Sequence, residues 1–389
     1  MLYIKLNSLI FVFILASRCI FAQYSDTIKY RENIYDFKQL KTLLKKPDCL
    51  NGYFPNQTGF LSKIDNTGKE SFDTTFTIQQ LKIPSDDIFI NGWLYLPLGK
   101  EKFPLIILTN GGGNITKNAR SFSDWLAPIF AHCGIAAFVH DKRGTGESEG
   151  VFTKTTYEDY IEDVRNCAFY LSKHERIDSG LIGIAGASEG GRIAVIAAGR
   201  YPIFKFVISF AGTVVSSIDD RIYAQKGWLK SLNLPDSTFF EVFDLHEKSI
   251  RAWAINDTKE HEKVNAEIIE MRKKYDEQIL PYTKEEMESI PEFAFVLSTW
   301  NSLQYDYLTE MVNFNKKWLA IFGKEDIVVP TEASIKNIIY YMNLSNNDEY
   351  NIAVLPDCGH VPINTKTKRL IRLDNIMINW INANILNEN

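Results

Sequence analysis

Six short, almost unbroken apolar runs constrain this chain more than any other feature; they lie at 105–108, 135–139, 181–185, 206–210, 318–322 and 352–355. A strand that is apolar on both faces needs cover on both sides, which is the situation of a parallel strand inside a sheet. Between several runs lie stretches with helical spacing. Over 157–171, for example, Tyr160, Ile161, Val164, Ala168 and Leu171 fall on one face. Strands alternating with helices predict the α/β class, a mostly parallel central sheet with helices on both faces. Ahead of the first run, 76–83 alternates in part and 88–97 follows it, predicting two antiparallel strands.

The alternation breaks at 215–313. There Val264, Ile268, Met271, Tyr275 and Ile279 mark an amphipathic helix, and Pro235, Pro281 and Pro291 punctuate the rest. Because this stretch separates two sheet strands, it is expected to be a helical cap insertion over the C-terminal edge of the sheet. The main domain is then 76–214 and 314–389, closing with a helix that presents Leu370, Leu373, Met377, Trp380, Ile381 and Ile385 along one face. Residues 23–75 are polar and rich in turn signals; they read as an N-terminal extension, with Ile34, Phe37, Leu40 and Leu44 on one side of a short helix.

The residues that carry chemistry begin at Gly186-Ala187-Ser188-Glu189-Gly190-Gly191, between the 181–185 run and the helix-like 192–198. A serine at a turn from strand to helix, with glycines two before and two after, fits a nucleophile elbow. The turn is so tight that side chains at the glycine positions would collide, while the serine is thrust to the top of the sheet.

A serine hydroxyl needs a neighbouring base to take its proton. Of six histidines, His132, His140 and His174 precede the serine, and His246 and His261 sit in charged stretches of the insertion that read as a solvated face. His360, in the loop after the last apolar run, is the candidate base. The acid is expected to leave the preceding strand, in Gly323-Lys324-Glu325-Asp326; Asp326 is preferred to Glu325, and Asp357 is a weaker rival because it lies so near the histidine. Its carboxylate would orient the imidazole and stabilise the imidazolium. For an oxyanion, the N–H of Glu189 is one expected donor. Glycines let backbone approach a substrate closely, so the second donor is placed in Asn110-Gly111-Gly112-Gly113-Asn114, at Gly112 or alternatively Gly113.

The glycine loop, His140-Asp141-Lys142-Arg143-Gly144-Thr145-Gly146-Glu147-Ser148, the elbow, Asp326 and His360 occur in an order that resembles the α/β-hydrolase superfamily. More narrowly, the chain is similar to bacterial esterases related to the prolyl-oligopeptidase and dienelactone-hydrolase groups. The resemblance covers 76–214 and 314–385 and implies the α/β-hydrolase fold. It implies Ser188 as nucleophile, Asp326 and His360 as its partners, Gly112 and Glu189 as oxyanion donors, and a structural role for 141–148. Many such relatives have histidine where Asn110 stands, and the insertion matches no motif.

Three functions follow. The first is hydrolysis of a small-molecule ester or acyl substrate. Trp228, Phe239, Phe240, Phe243, Trp253, Phe293, Phe295 and Trp300 would line an acyl or aryl pocket or, for most of them, form the core of the insertion. The second is a serine peptidase, aminopeptidase-like because 23–75 is too short for a β-propeller. The third is a catalytically silent binding protein on the same scaffold. No metal or organic cofactor is suggested. A formal charge of −5 without a basic stripe argues against nucleic acid.

The first 22 residues read as an export signal: Lys5, an apolar run at 9–16 too short to span a bilayer, and a cleavage-like end at Phe21-Ala22. The mature chain would then have no membrane span, a secreted or periplasmic location and a charge of −7, having lost Lys5 and Arg18. Of the five cysteines, Cys19 leaves with the signal. Spacing does not say which of Cys49, Cys133, Cys167 and Cys358 pair, if any do; buried free thiols are as compatible with the sequence, and Cys133 and Cys167 sit in segments that read as core.

Overall fold

The alternating β-rich stretch and the apolar runs assemble one eight-stranded sheet in a computed structural model that describes residues 33–51, 53–55, 61–64, 70–72, 75–113, 122–289, 303, 305 and 307–387. The export segment, Asn114, Phe293, Phe295 and Trp300 lie outside the described residues.

In chain order the described elements begin with α1 (Phe37–Leu43) and three short strands, β1 (Tyr53–Pro55), β2 (Leu61–Ile64) and β3 (Glu70–Phe72), which form a small antiparallel sheet. The sheet proper starts with β4 (Phe76–Ser85), β5 (Ile88–Pro97) and β6 (Phe103–Thr109). Then come α2 (Phe122–His132), β7 (Ala136–His140), α3 (Tyr157–Leu171), β8 (Ile177–Ala187), α4 (Glu189–Arg200) and β9 (Phe206–Phe210). Helices α5 (Ser217–Ser231), α6 (Asp236–Ile255), α7 (Thr258–Met271) and α8 (Lys284–Ser289) follow. The chain then returns to the sheet with β10 (Lys317–Gly323), α9 (Thr331–Leu344), β11 (Tyr350–Leu355) and α10 (Leu373–Ile381).

Strand order is β11-β10-β9-β8-β6-β7-β5-β4. The β4–β5 and β5–β7 pairs are antiparallel and all other pairs parallel, which gives the mostly parallel sheet that the apolar runs predict. Ile106, Leu108, Ile208 and Ile321, all fully buried, pack on one face against Phe130 of α2 and Met377 and Trp380 of α10. Helices α3 and α4 pack together beside the sheet. Local chemistry fixes where α3 starts: Thr156 Oγ1 accepts the Asp159 N–H at 3.2 Å, and the Asp159 carboxylate accepts the Thr156 N–H at 2.7 Å, a capping box.

Several expectations are corrected. Leu370 lies before α10 and is half exposed, and the helical face starts instead at Leu373. In α1 the inward residues are Leu40 and Leu43, whereas Phe37 points to solvent. Helix α7 ends at Met271, although Tyr275 and Ile279 beyond it still pack on the same cluster. His246 and His261 are buried rather than solvated: Trp228 lies edge-on to His246, and Trp253 edge-on to His261. The pairing that spacing left open is resolved at Cys133, which is half-buried. It forms a disulfide with Cys49, with Cα atoms 5.3 Å apart, while Cys167 and Cys358 are buried and free.

Polar contacts hold the segment around Cys49 against the sheet domain. The last carbonyls of a helix lack intrahelical partners. Here Asn379 Nδ2 donates to the Leu43 and Lys45 carbonyls at 2.9 Å, and Asn375 Nδ2 to that of Leu44 at 3.0 Å. His132 bridges Thr75 Oγ1 and the Cys49 carbonyl.

Candidate active site

Strand β8 runs straight into α4, and Ser188 is the hinge between them, at φ 55° and ψ −123°. A non-glycine residue at positive φ is strained and persists only when its surroundings hold it. Two features do so. The Ser188 N–H donates to the Phe210 carbonyl of β9 at 2.8 Å. The flanking glycines allow a close approach: a Cβ on Gly190 would collide with the Thr109 and Asn110 carbonyls, and one on Gly186 with the Gly190 backbone.

Three candidate residues, far apart in the sequence, meet here. His360 Nε2 lies 3.1 Å from Ser188 Oγ, and His360 Nδ1 lies 2.9 Å from Asp326 Oδ2. The Asp326 side chain is fully buried, and its other oxygen accepts the N–H groups of Val328 at 2.8 Å and Val329 at 2.9 Å. That turn is braced from α5: Tyr223 Oη donates to the Asp326 carbonyl at 3.0 Å, and Gly227 leaves room for the Ile327 carbonyl. Glu325 is exposed and accepts from Thr365, and Asp357 pairs with Lys366. Neither reaches the imidazole. A carboxylate, an imidazole and a hydroxyl in this sequence can pass a proton from the alcohol to the ring.

Ser188 and His360 open into a cleft of about 360 Å³, also lined by Gly111, Gly112 and Glu189. The N–H of Glu189 is the first of α4, a position with no intrahelical carbonyl to bond. Gly112 is thus placed beside the serine, and Gly113 is not among the lining residues.

Sequence reasoning missed Lys142. It belongs to the 141–148 loop, which is mostly architectural: Asp141 accepts the Glu147 N–H, Ser148 ties Asp141 to Asn91, and Arg143 forms a fork with buried Asp163. Lys142 instead points at the candidate site. Its ammonium is buried, ion-paired with Glu189, bonded to the Gly111 carbonyl at 2.9 Å and set over the Tyr160 ring. It therefore links the residue after the nucleophile to the glycine loop. A lysine in a polar loop gives no sequence sign of such a reach.

The insertion supplies polar residues to the cleft: Ser217, Asp220 and Arg221, with Ala224, all on α5. Among the described residues, none of the aromatic candidates for a pocket lines it, in keeping with the alternative that they form the core of the insertion. Phe239 and Phe243 join the core of the insertion, Trp253 is buried in a neighbouring cluster, and Trp228 and Phe240 are exposed. Among the described residues no group of three or more histidine, cysteine or acidic side chains is arranged to hold a metal ion.

A family model of X-Pro dipeptidyl-peptidases (S15 family) matches residues 86–360, which takes in the elbow, Asp326 and His360. The chain belongs to the S15 peptidase family. This S15 chain is 31% identical over 114 residues to the thiohydrolase aneE of Aspergillus aculeatus, covering 29% of this chain and 34% of that protein. It is 33% identical over 114 residues to an uncharacterized 31.7 kDa protein of the traX-finO intergenic region of Escherichia coli, 29% of this chain and 39% of the other. The alignments thus span little more than a third of these relatives. Among solved structures it resembles an esterase of Pyrococcus furiosus, with a TM-score of 0.52 at 16% identity over 80% of this chain and 92% of that one. It also resembles an acylaminoacyl peptidase of Pyrococcus horikoshii, with a TM-score of 0.50 at 18% identity over 84% of this chain and 46% of the other. At these identities the likeness is one of fold, and the fold of this S15 chain is that of the α/β hydrolases.

Proposed function

We propose that this S15-family chain is a serine hydrolase that cleaves carboxylic esters through an acyl-enzyme on Ser188. The observation that carries the reading is the unbroken relay from Ser188 Oγ through His360 to the buried Asp326 carboxylate. Ser188 Oγ attacks the ester carbonyl carbon as its proton passes to His360 Nε2, and Asp326 holds the Nδ1–H and steadies the imidazolium. The carbonyl oxygen becomes an oxyanion that accepts the N–H groups of Glu189 and Gly112. Collapse expels the alcohol, protonated by His360. Water then repeats the sequence on the acyl-enzyme, returning the acid and free Ser188.

Likeness in fold to the Pyrococcus furiosus esterase supports the ester as substrate. The family match favours a second reading, cleavage of a peptide bond by the same relay with an amine as leaving group. A panel of p-nitrophenyl esters and aminoacyl anilides, run beside Ser188→Ala, separates them. Faster turnover of anilides selects the peptidase. No turnover and no labelling of Ser188 by a fluorophosphonate would leave a silent scaffold.

The chain is further proposed to be exported. Its N-terminal 22 residues and the Cys49–Cys133 disulfide support this, since disulfides persist in oxidising compartments. N-terminal sequencing of protein recovered outside the cytoplasm should start at Gln23.

A further inference from the structure

Three cationic side chains, Arg192 and Arg221 in the wall of the cleft beside Ser188 and Lys142 paired to its Glu189, meet only two acids outside the relay, Glu189 and Asp220. Lys142 is matched by Glu189. Arg192, buried at 5% exposure, is matched by Asp220 at 2.6 Å, donates to Ser217 Oγ at 3.2 Å, and lies over the Tyr157 and Tyr307 rings. Arg221 is the surplus. It lines the same cleft from α5, is half-buried, and makes no hydrogen bond or ion pair among the described residues.

Its charge nevertheless lies among the lining groups. Burial pushes the Arg221 guanidinium below its ordinary value, and Asp220, Tyr157, Arg192 and Glu189, all lining residues, act on it electrostatically. A second observation points to a missing polar ligand. Thr213, 4% exposed, lines the cleft with its Oγ1 unpartnered, and the Nε of Arg192 is likewise buried without a partner. Buried polar groups are almost always hydrogen-bonded, so two orphan donors around one cleft mark a place built for something that accepts from them.

We propose that Arg221, with Thr213 Oγ1 in the same cleft, is a carboxylate subsite, so that the substrate carries a free carboxylate near its scissile acyl bond. A single surplus positive charge calls for a monoanion. The planar guanidinium fork suits a carboxylate, and a hydroxyl donates to the same group. Each of the two acids in the cleft already holds a cation, Glu189 that of Lys142 and Asp220 that of Arg192. This rests on the serine-hydrolase reading of Ser188 and narrows its substrate class.

The test has two arms, since the carboxylate can sit on either side of the ester. Monomethyl adipate against dimethyl adipate places it on the acyl side; 4-acetoxybenzoate against its methyl ester places it on the leaving group. We expect the anionic member of one pair to have a kcat/KM about tenfold or more above its neutral partner. That ratio should collapse in Arg221→Gln and return in part in Arg221→Lys, chiefly through KM. Calorimetry on Ser188→Ala supplies a readout without turnover: the favoured anion binds, and adding Arg221→Gln abolishes binding. Neutral esters turned over as fast as anionic ones in both arms, or preference for the cationic 4-(aminomethyl)phenyl acetate, would overturn the subsite while leaving the hydrolase intact. Absence of all turnover and of fluorophosphonate labelling, with the anion still bound, would remove the hydrolase and keep the subsite.

Discussion

The buried ammonium of Lys142 is paired with the carboxylate of Glu189, the residue directly after the candidate nucleophile, and bonds the carbonyl of Gly111 in the facing loop. The two segments proposed to hold the oxyanion are therefore fixed to one another by a single side chain. Removing one partner of a buried pair leaves the other charge uncompensated. Lys142→Met is expected to lose about 3–5 kcal/mol of stability by urea unfolding. Lys142→Met with Glu189→Leu should recover most of that stability but not the turnover, because the Gly111 carbonyl remains untethered. Recovery of full turnover in the double variant would show that the pair serves stability alone.

Removal of the relay is expected to be far more damaging to rate than to fold. Ser188→Ala and Asp326→Asn should each lower kcat by about four orders of magnitude with little change in thermal unfolding. Asp326→Asn acts by turning the imidazole into the wrong tautomer. A loss of less than tenfold in Asp326→Asn would mean that another acid serves His360.

Gly190→Ala tests the elbow itself. The added methyl meets the Thr109 and Asn110 carbonyls, which belong to strand and loop backbone and cannot swing aside as a side chain does. Overpacking of this kind costs about 1–3 kcal/mol or more, so a clear drop in Tm is expected together with loss of Ser188 labelling. A variant as stable and as reactive as the parent would show that the elbow has slack.

Acid should loosen the insertion before the sheet. Burial lowers His246 from its ordinary value of 6.5 to about 4, and its Nε2 bonds the Ile279 carbonyl at 2.8 Å. The folded chain therefore keeps this ring neutral at pH values where the unfolded chain has protonated it. Its contribution is complete above pH 6.5 and is withdrawn as pH falls towards 4, a loss of about 3 kcal/mol at most. Unfolding from about pH 7 to about pH 4.5 should show a shallower decline for His246→Gln, which keeps a donor without a titrating ring. Equal slopes would assign the acid sensitivity elsewhere, for instance to buried His140, whose affinity for protons is also lowered by burial.

The sheet was readable from the apolar runs because a strand buried on both faces has no freedom to be polar, as Ile106, Ile208 and Ile321 illustrate. The relay residues were readable for a related reason. Ser188, Asp326 and His360 each follow the end of a parallel strand, and parallel strands bring such ends to one side of a sheet. What stayed hidden depends on distance rather than on pattern. Strands β1–β3 are three or four residues long, too short for a period to show. His246 and His261 sit among charges in sequence, yet their rings turn inward onto tryptophans. Lys142 and Arg221 look like ordinary surface cations until the fold brings the Glu189 carboxylate to one and the cleft beside Ser188 to the other.

Cys49 and Cys133, 84 positions apart, close a covalent ring that contains β4, β5, β6 and the glycine loop. A protease that severs one peptide bond anywhere inside that ring produces a two-chain molecule whose pieces cannot separate until a reductant is added. Cleavage there would leave the pieces together on a non-reducing gel and part them on a reducing one, and the nicked species would be heavier than the intact one by a single water.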